Sequence, residues 1–144
     1  MIYLIGSLRN PKVAELGNEL RSLGYEVFDD WHGNGPEADE YWQAYEKARG
    51  RNYKDALASP IPQHIFNIDK TFLDKSSSVV LVLPAGKSGH LEFGYACGQG
   101  GKKTFILLDG EPERYDVMYN FATQICLNKQ ELLEGLQRAE NTRV

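Results

Sequence analysis

Five consecutive aliphatic residues, Val79 to Leu83, lie between the turn Ser76-Ser77-Ser78 and Pro84. The run is far shorter than the roughly 20 apolar residues of a membrane helix. It also lacks the polar alternation of a strand with one wet face, so it reads as a central parallel strand covered by helices on both sides. The flanking sequence supplies its neighbours. Ile2 to Ile5 is a second short buried strand, and Asn10-Pro11 then gives a cap and a proline suited to a first helical turn. Val13, Leu16, Leu20 and Leu23 recur at helical spacing, and Gly24 closes that helix. Tyr25 to Phe28, Thr104 to Leu108 and Phe121 to Leu127 read as further strands. Further helices are expected from about Pro62 to Asp74, from the Ala85 to Gly89 loop to the Gly98 to Gly101 cluster, and after Asn128, which pairs with Glu131 like a capping box.

Strands alternating with helices imply an α/β fold with right-handed crossovers and helices on both faces of a parallel sheet. The expected architecture is a flavodoxin-like three-layer sandwich with strand order 2-1-3-4-5. The 144 residues suffice for one domain. A helical insertion at about 30–60 interrupts it: Gly33, Gly35 and Pro36 form a loop, and Tyr41, Trp42, Tyr45 and Tyr53 decorate a charged helix broken at Gly50. The last few residues are expected to fray. In this topology ligands bind at the carboxyl ends of the strands, where the winding reverses between the first and third strands. The loops Gly6-Ser7-Leu8-Arg9 and Gly86-Lys87-Ser88-Gly89-His90-Leu91-Glu92 should meet there.

The net charge of -4 leaves no basic excess to hold a nucleic acid polymer. Cys97 and Cys126 show no ligand spacing, so no metal and no disulfide framework are expected. The amino-terminal stretch lacks a basic leader and a small-residue cleavage site, which suggests a cytoplasmic protein with no membrane partner. Three motifs fail. Gly86-Lys87-Ser88 resembles the end of a phosphate-binding P-loop but has Leu81 where a glycine is needed. A nucleophile elbow would need glycine at His90. Gly94, Gly98, Gly100 and Gly101 are wrongly spaced for a dinucleotide fingerprint and close a helix instead of opening one.

Two carboxylates remain. Ile65, Phe66, Phe72 and Leu73 all project within about 60 degrees of Asp69 on a helix of ~3.6 residues per turn, so an acid sits inside an apolar stripe. Such an acid is paired for structural reasons, or sits where the helix curves off the sheet at this turn, or is functional. Glu92 is expected in the first turn of the helix after the central strand, where the dipole and free amides would keep it ionised; a capping role is the alternative. Ser7 and Arg9 could bind an oxyanion such as phosphate, although Arg9 could equally be a solvated surface charge. His90 could line the site without a catalytic part. Trp31, Tyr41, Trp42 and Tyr45 could stack on a flat ring or simply pack.

Together, Ile2-Tyr3-Leu4-Ile5-Gly6-Ser7-Leu8-Arg9, Asp69 on its helix and Ser88-Gly89-His90-Leu91-Glu92-Phe93-Gly94 resemble the nucleoside 2-deoxyribosyltransferase family, with the 2'-deoxynucleoside 5'-phosphate N-hydrolase branch nearest in flavour. The resemblance covers most of the chain from Tyr3 to about Asn120, apart from the insertion. It implies a nucleophile at Glu92, an acid at Asp69 assisting the departing base, and a tyrosine at Tyr3 positioning the glutamate. By the same resemblance Ser7, Arg9 and Ser88 would hold a 5'-phosphate. Gly6, Gly89, Asp30 and Trp31 complete the expected substrate contacts of one chain. A neighbouring subunit would lend the segment Asp116-Val117-Met118-Tyr119-Asn120, with Asp116, Met118 and Asn120 touching substrate, so a homodimer or higher homo-oligomer with shared sites is implied. The sequence departs from the hydrolase branch at Asp116, where that branch has a phosphate-binding serine. A carboxylate there would repel phosphate and accept a hydrogen bond from a free 5'-hydroxyl.

The expected activity is therefore cleavage or transfer of the N-glycosidic bond of a small-molecule 2'-deoxynucleoside through a glycosyl-enzyme, with no cofactor. Hydrolysis of 5'-monophosphates and a non-catalytic nucleotide-binding or sensing module are the alternatives. A flavin carrier is disfavoured because no Ser/Thr-rich phosphate loop follows the first strand.

Overall fold

A computed structural model describes residues 1–141; the fraying expected at the carboxyl end falls on residues 142–144, outside the described residues. The sheet is built from β1 (Ile2–Ile5), β2 (Val27–Phe28), β3 (Ser78–Val82), β4 (Lys103–Leu107) and β5 (Gln124–Cys126). All pairings are parallel and the order is 2-1-3-4-5, the flavodoxin-like arrangement expected from the sequence. The helices are α1 (Lys12–Ser22), α2 (Gly35–Ala48), α3 (Tyr53–Leu57), α4 (Pro60–Lys75), α5 (Lys87–Gln99) and α6 (Lys129–Asn141). No helix among the described residues is long and apolar enough to cross a membrane.

Successive side chains of a strand point to opposite faces, and here each set finds its own helical layer. Ile2, Leu4, Val80, Val82 and Phe105 pack with Val13, Leu16 and Leu20 of α1 and Leu132 and Leu136 of α6. Tyr3, Ile5, Val79, Leu81 and Ile106 pack with Leu73 of α4 and Phe93 and Ala96 of α5. Every residue of β1 and β3 is buried, which is why their sequences carry no polar alternation. Local signals set the ends of α1 and α6. Asn10 Oδ1 accepts the Lys12 backbone N–H at 3.1 Å, Gly24 takes a positive φ of 95° after α1, and Asn128 Oδ1 accepts the Glu131 backbone N–H at 2.9 Å.

Several boundaries differ from those read in the sequence. Tyr25 is outside β2 because its N–H closes the end of α1 on the Leu20 carbonyl at 3.1 Å. β5 starts only at Gln124, since Phe121 ends a 3-10 turn, Val117–Phe121. Between them, Thr104 and Thr123 exchange reciprocal backbone-to-hydroxyl bonds of 3.0 Å in place of a regular ladder. α5 begins at Lys87 with Gly86 as its cap, so the expected loop through Gly89 is already helical.

The insertion comprises a 3-10 turn, Asp30–Asn34, followed by α2 and α3. Its helices bury little: Glu46 is the buried residue of α2 and Ala56 that of α3. Glu46 ion-pairs with Arg49 at 3.3 Å and Arg51 at 3.5 Å, tying the end of α2 to the segment that follows. Trp31 anchors the other end. β2 stops opposite Tyr3, and the Trp31 indole N–H donates to the Leu4 carbonyl at 2.8 Å, replacing the ladder bond that a longer β2 would make.

Beyond β1 the chain squeezes past its neighbours at Gly6. A Cβ there would lie 2.7 Å from Val13 Cγ2 and 3.2 Å from the Val82 carbonyl oxygen. Gly6→Ala should lower unfolding stability by about 1–3 kcal/mol through overpacking, measured by urea denaturation; unchanged stability would show that the loop relaxes freely.

Candidate functional site

A cleft of about 970 Å³ opens at the carboxyl ends of β1 and β3, where the winding reverses. Its volume is at the upper end of the range for small-molecule sites. Ile5, Gly6, Ser7 and Arg9 form one side, and Gly86 to Gly89 with Glu92 form another. The two loops predicted to meet do meet. Ile65, Phe66 and Asp69 of α4 and residues of the insertion close the remainder.

Three packing contacts aim the acids. Gly89 lets α5 approach β1, since a Cβ at that position would stand 3.2 Å from Ile5 Cγ2. Phe93, 5% exposed, fixes the rotation of α5 in the core beside Glu92. On the opposite wall, Phe72 stacks on Phe28 with ring centroids 4.2 Å apart, and Phe28 stacks on Tyr3 at 5.1 Å. Phe72 lies one turn after Asp69, so this row of rings sets the position of Asp69 and Tyr3 together. The apolar stripe around Asp69 is only partly buried in the core, in line with the alternative of a helix that leaves the sheet at this turn. Leu73 is buried, but Ile65 is 44% and Phe66 61% exposed, because the first turns of α4 overhang the sheet and line the cleft.

Burial sets the electrostatics. The Asp69 carboxyl is pushed up to about 6 by its desolvation. Glu92 rises to about 7, first through burial and then through the Asp69 charge, while the Tyr3 hydroxyl pulls it down as a donor. Tyr3 itself is raised above the ordinary phenol value by burial, the Glu92 charge and hydrogen bond, and Asp69, so it stays protonated. Tyr3 and Glu92 interact electrostatically, yet the Tyr3 hydroxyl and Glu92 Oε1 are both buried without a hydrogen-bond partner. Glu92 departs from expectation in one respect. Because α5 starts at Lys87, Glu92 falls in the second turn instead of the first, and burial outweighs the weaker pull of the helix end. It is thus held near half-ionised at neutral pH, not fully charged.

The remaining expected contacts divide. Gly6, Ser7, Arg9, Trp31, Ser88 and Gly89 line the cleft, as does Trp42, whose indole N–H is buried without a partner. Asp30 does not line it; it is exposed at the start of its 3-10 turn, next to Asp29, which is paired with Arg21. Tyr41 and Tyr45 also lie off the cleft, Tyr45 beneath the Arg49 guanidinium. His90 turns away from the cleft and engages Tyr119, whose hydroxyl is 2.9 Å from Nε2. Asp116, Met118 and Asn120 are exposed and do not line this chain's own cleft. Asp116 caps its turn by accepting the Met118 backbone N–H at 2.9 Å. Sequence reasoning missed Glu40, which ion-pairs with Arg9 across the mouth; no local pattern marks a contact between residues 31 positions apart.

Among the described residues no group of three His, Cys, Asp or Glu side chains is placed to hold a metal ion. No model of a known protein family matches the chain, and no curated protein matches it.

The raised Glu92 value has a stability consequence. A carboxylate that holds its proton more tightly folded than unfolded loses stability as pH rises from the unfolded value through the folded one. Between about pH 4.5 and 7 the wild type should therefore weaken relative to Glu92→Gln. At ~1.36 kcal/mol per pH unit the difference is at most about 3 kcal/mol at pH 8. Denaturant titrations of both proteins at pH 4.5 and pH 8 measure it; a gap that does not widen with pH would show that Glu92 titrates normally.

Proposed function

We propose that this protein cleaves or transfers the N-glycosidic bond of 2'-deoxynucleosides through a covalent glycosyl-enzyme. The observation that carries this reading is the placement of Glu92 and Asp69 in one cleft, both desolvated, with a neutral tyrosine hydroxyl against Glu92. Paired carboxyls with raised and coupled titration suit a reaction needing one nucleophile and one acid. The resemblance of the β1 and α5 segments to nucleoside 2-deoxyribosyltransferases points to the same chemistry.

In the first half-reaction a Glu92 oxygen bonds to the sugar C1' and the bond from C1' to the base nitrogen breaks. The bonding pair leaves with the base, and Asp69 delivers the proton that neutralises it. Tyr3, whose buried hydroxyl lies against Glu92, is the donor that would hold the attacking carboxyl in place. In the second half-reaction water or a second base attacks C1' and Glu92 departs as carboxylate, while Asp69 takes up the proton released. Water gives a hydrolase and a base gives a transferase. Trp31, Trp42 and Phe66 offer flat apolar surface for the base. Arg9 and Ser7 favour a second reading, in which the substrate is a 5'-monophosphate.

The reading includes a second copy of the chain. Tyr115, Val117, Met118 and Phe121 are all more than half exposed beside α5, and Ile61 and Phe66 are exposed at the cleft, large apolar surfaces that a homodimer would cover. Sedimentation equilibrium should give the mass of a dimer or higher homo-oligomer, and a monomer would remove this part.

Incubation with the four common deoxynucleosides and their monophosphates, read by chromatography, should show free base with wild type and none with Glu92→Ala. Equal release by both would end the nucleophile assignment. The activity should peak between about pH 6 and 7, the interval in which the pair holds one proton. Asp69→Asn should be slower and lose the alkaline decline, with its acid limb midpoint below that of Glu92 in wild type, since the charge that raises Glu92 is gone.

A further inference from the structure

The insertion places a carboxylate on the arginine of the cleft. Arg9 Nη2 donates to Glu40 Oε1 of α2, and both residues line the cleft. Ser7 Oγ, in the same loop, already accepts the Arg9 backbone N–H at 3.1 Å. The cations lining the cleft are Arg9 and Lys87, while its acids are Asp39, Glu40, Asp69 and Glu92. The Arg9 guanidinium is therefore already paired within the protein, and acids outnumber cations around it.

We propose that Glu40 is a specificity-determining residue: by occupying Arg9 it makes the cleft select 2'-deoxynucleosides with a free 5'-hydroxyl over their 5'-monophosphates. This rests on the glycosyl-transfer reading and names the residue that sets its substrate class. A phosphate binds arginine best through two parallel N–H donors. Here it must either displace Glu40 or bind the remaining donors beside that carboxylate. The ion pair is exposed, with side chains 67% and 62% accessible, so breaking it costs little. The discrimination comes mainly from the like charge beside a phosphate held on Arg9, so it requires Arg9 as the holding group. A neutral hydroxyl meets neither penalty, and the pair stays intact. Glu40 comes from the insertion, so the preference is a property of that segment and not of the sheet loops alone.

The test compares wild type, Glu40→Gln and the double variant Arg9→Ala/Glu40→Gln, using the four deoxynucleosides and their monophosphates. Base release gives kcat/KM, and calorimetry on the same proteins gives Kd. Glu40→Gln should raise the monophosphate-to-nucleoside ratio in both quantities by about fivefold or more, and adding Arg9→Ala should remove that gain. A change below about twofold, or a gain that persists without Arg9, overturns the role of Glu40. If no protein releases base yet the affinity ratio shifts as stated, the catalytic reading fails and the role of Glu40 in selecting the ligand stands. Base release with an unmoved ratio overturns the role of Glu40 and leaves the catalytic reading in place. No release and no binding overturns both.

Discussion

The Tyr3 hydroxyl is a polar atom on a strand with no access to water, and that constraint links the fold to the site. β1 is covered on both faces, and Tyr3 is fully buried between Ile2 and Leu4, whose side chains serve the opposite core. A buried hydroxyl without a partner costs free energy. What faces it is Glu92, brought over the strand by the close approach of α5 at Gly89. The carboxyl is in turn desolvated, which raises its affinity for a proton. Strand, helix and acid are thus mutually dependent: moving α5 outward would relieve the desolvation and leave Tyr3 without its neighbour. Buried polar groups that weaken stability while creating reactivity are a familiar property of functional sites.

The sheet order is legible in the sequence because its signals are local. Continuous apolar runs mark β1 and β3, while the Asn10 and Asn128 side chains and Gly24 mark helix ends with chemistry that needs only a few neighbouring residues. Asp69 is legible as an acid within an apolar stripe. The periodicity of α4 leaves open whether the helix stays on the sheet or leaves it at that turn, and only the fold decides that its first turns line the cleft. The length of β2 is hidden for a similar reason. Trp31 supplies from outside the strand the bond that Leu4 would otherwise take from a ladder partner. Glu92 can be found from its surroundings in the chain, but its helical turn cannot, since Gly86 starts α5 without a side-chain cap to mark the boundary. The wall built by the insertion depends on contacts such as Arg9 with Glu40, which no window of sequence contains.

The proton arrangement in the cleft narrows the chemistry further. Burial raises both carboxyls, and the Asp69 charge adds to the rise of Glu92, so between about pH 6 and 7 the pair shares one proton. The proposed attack at C1' would need the proton on Asp69 and Glu92 bare. A hydrogen bond from Asp69 to a base nitrogen or carbonyl would favour the protonated form of Asp69. In the proposed reaction, a base bound against α4 would shift the shared proton towards Asp69 and free the Glu92 carboxylate in the same step. The Tyr3 hydroxyl, which lowers the proton affinity of Glu92, would act in the same direction, so that in this proposal recognition of the leaving group and activation of the attacking group are one event.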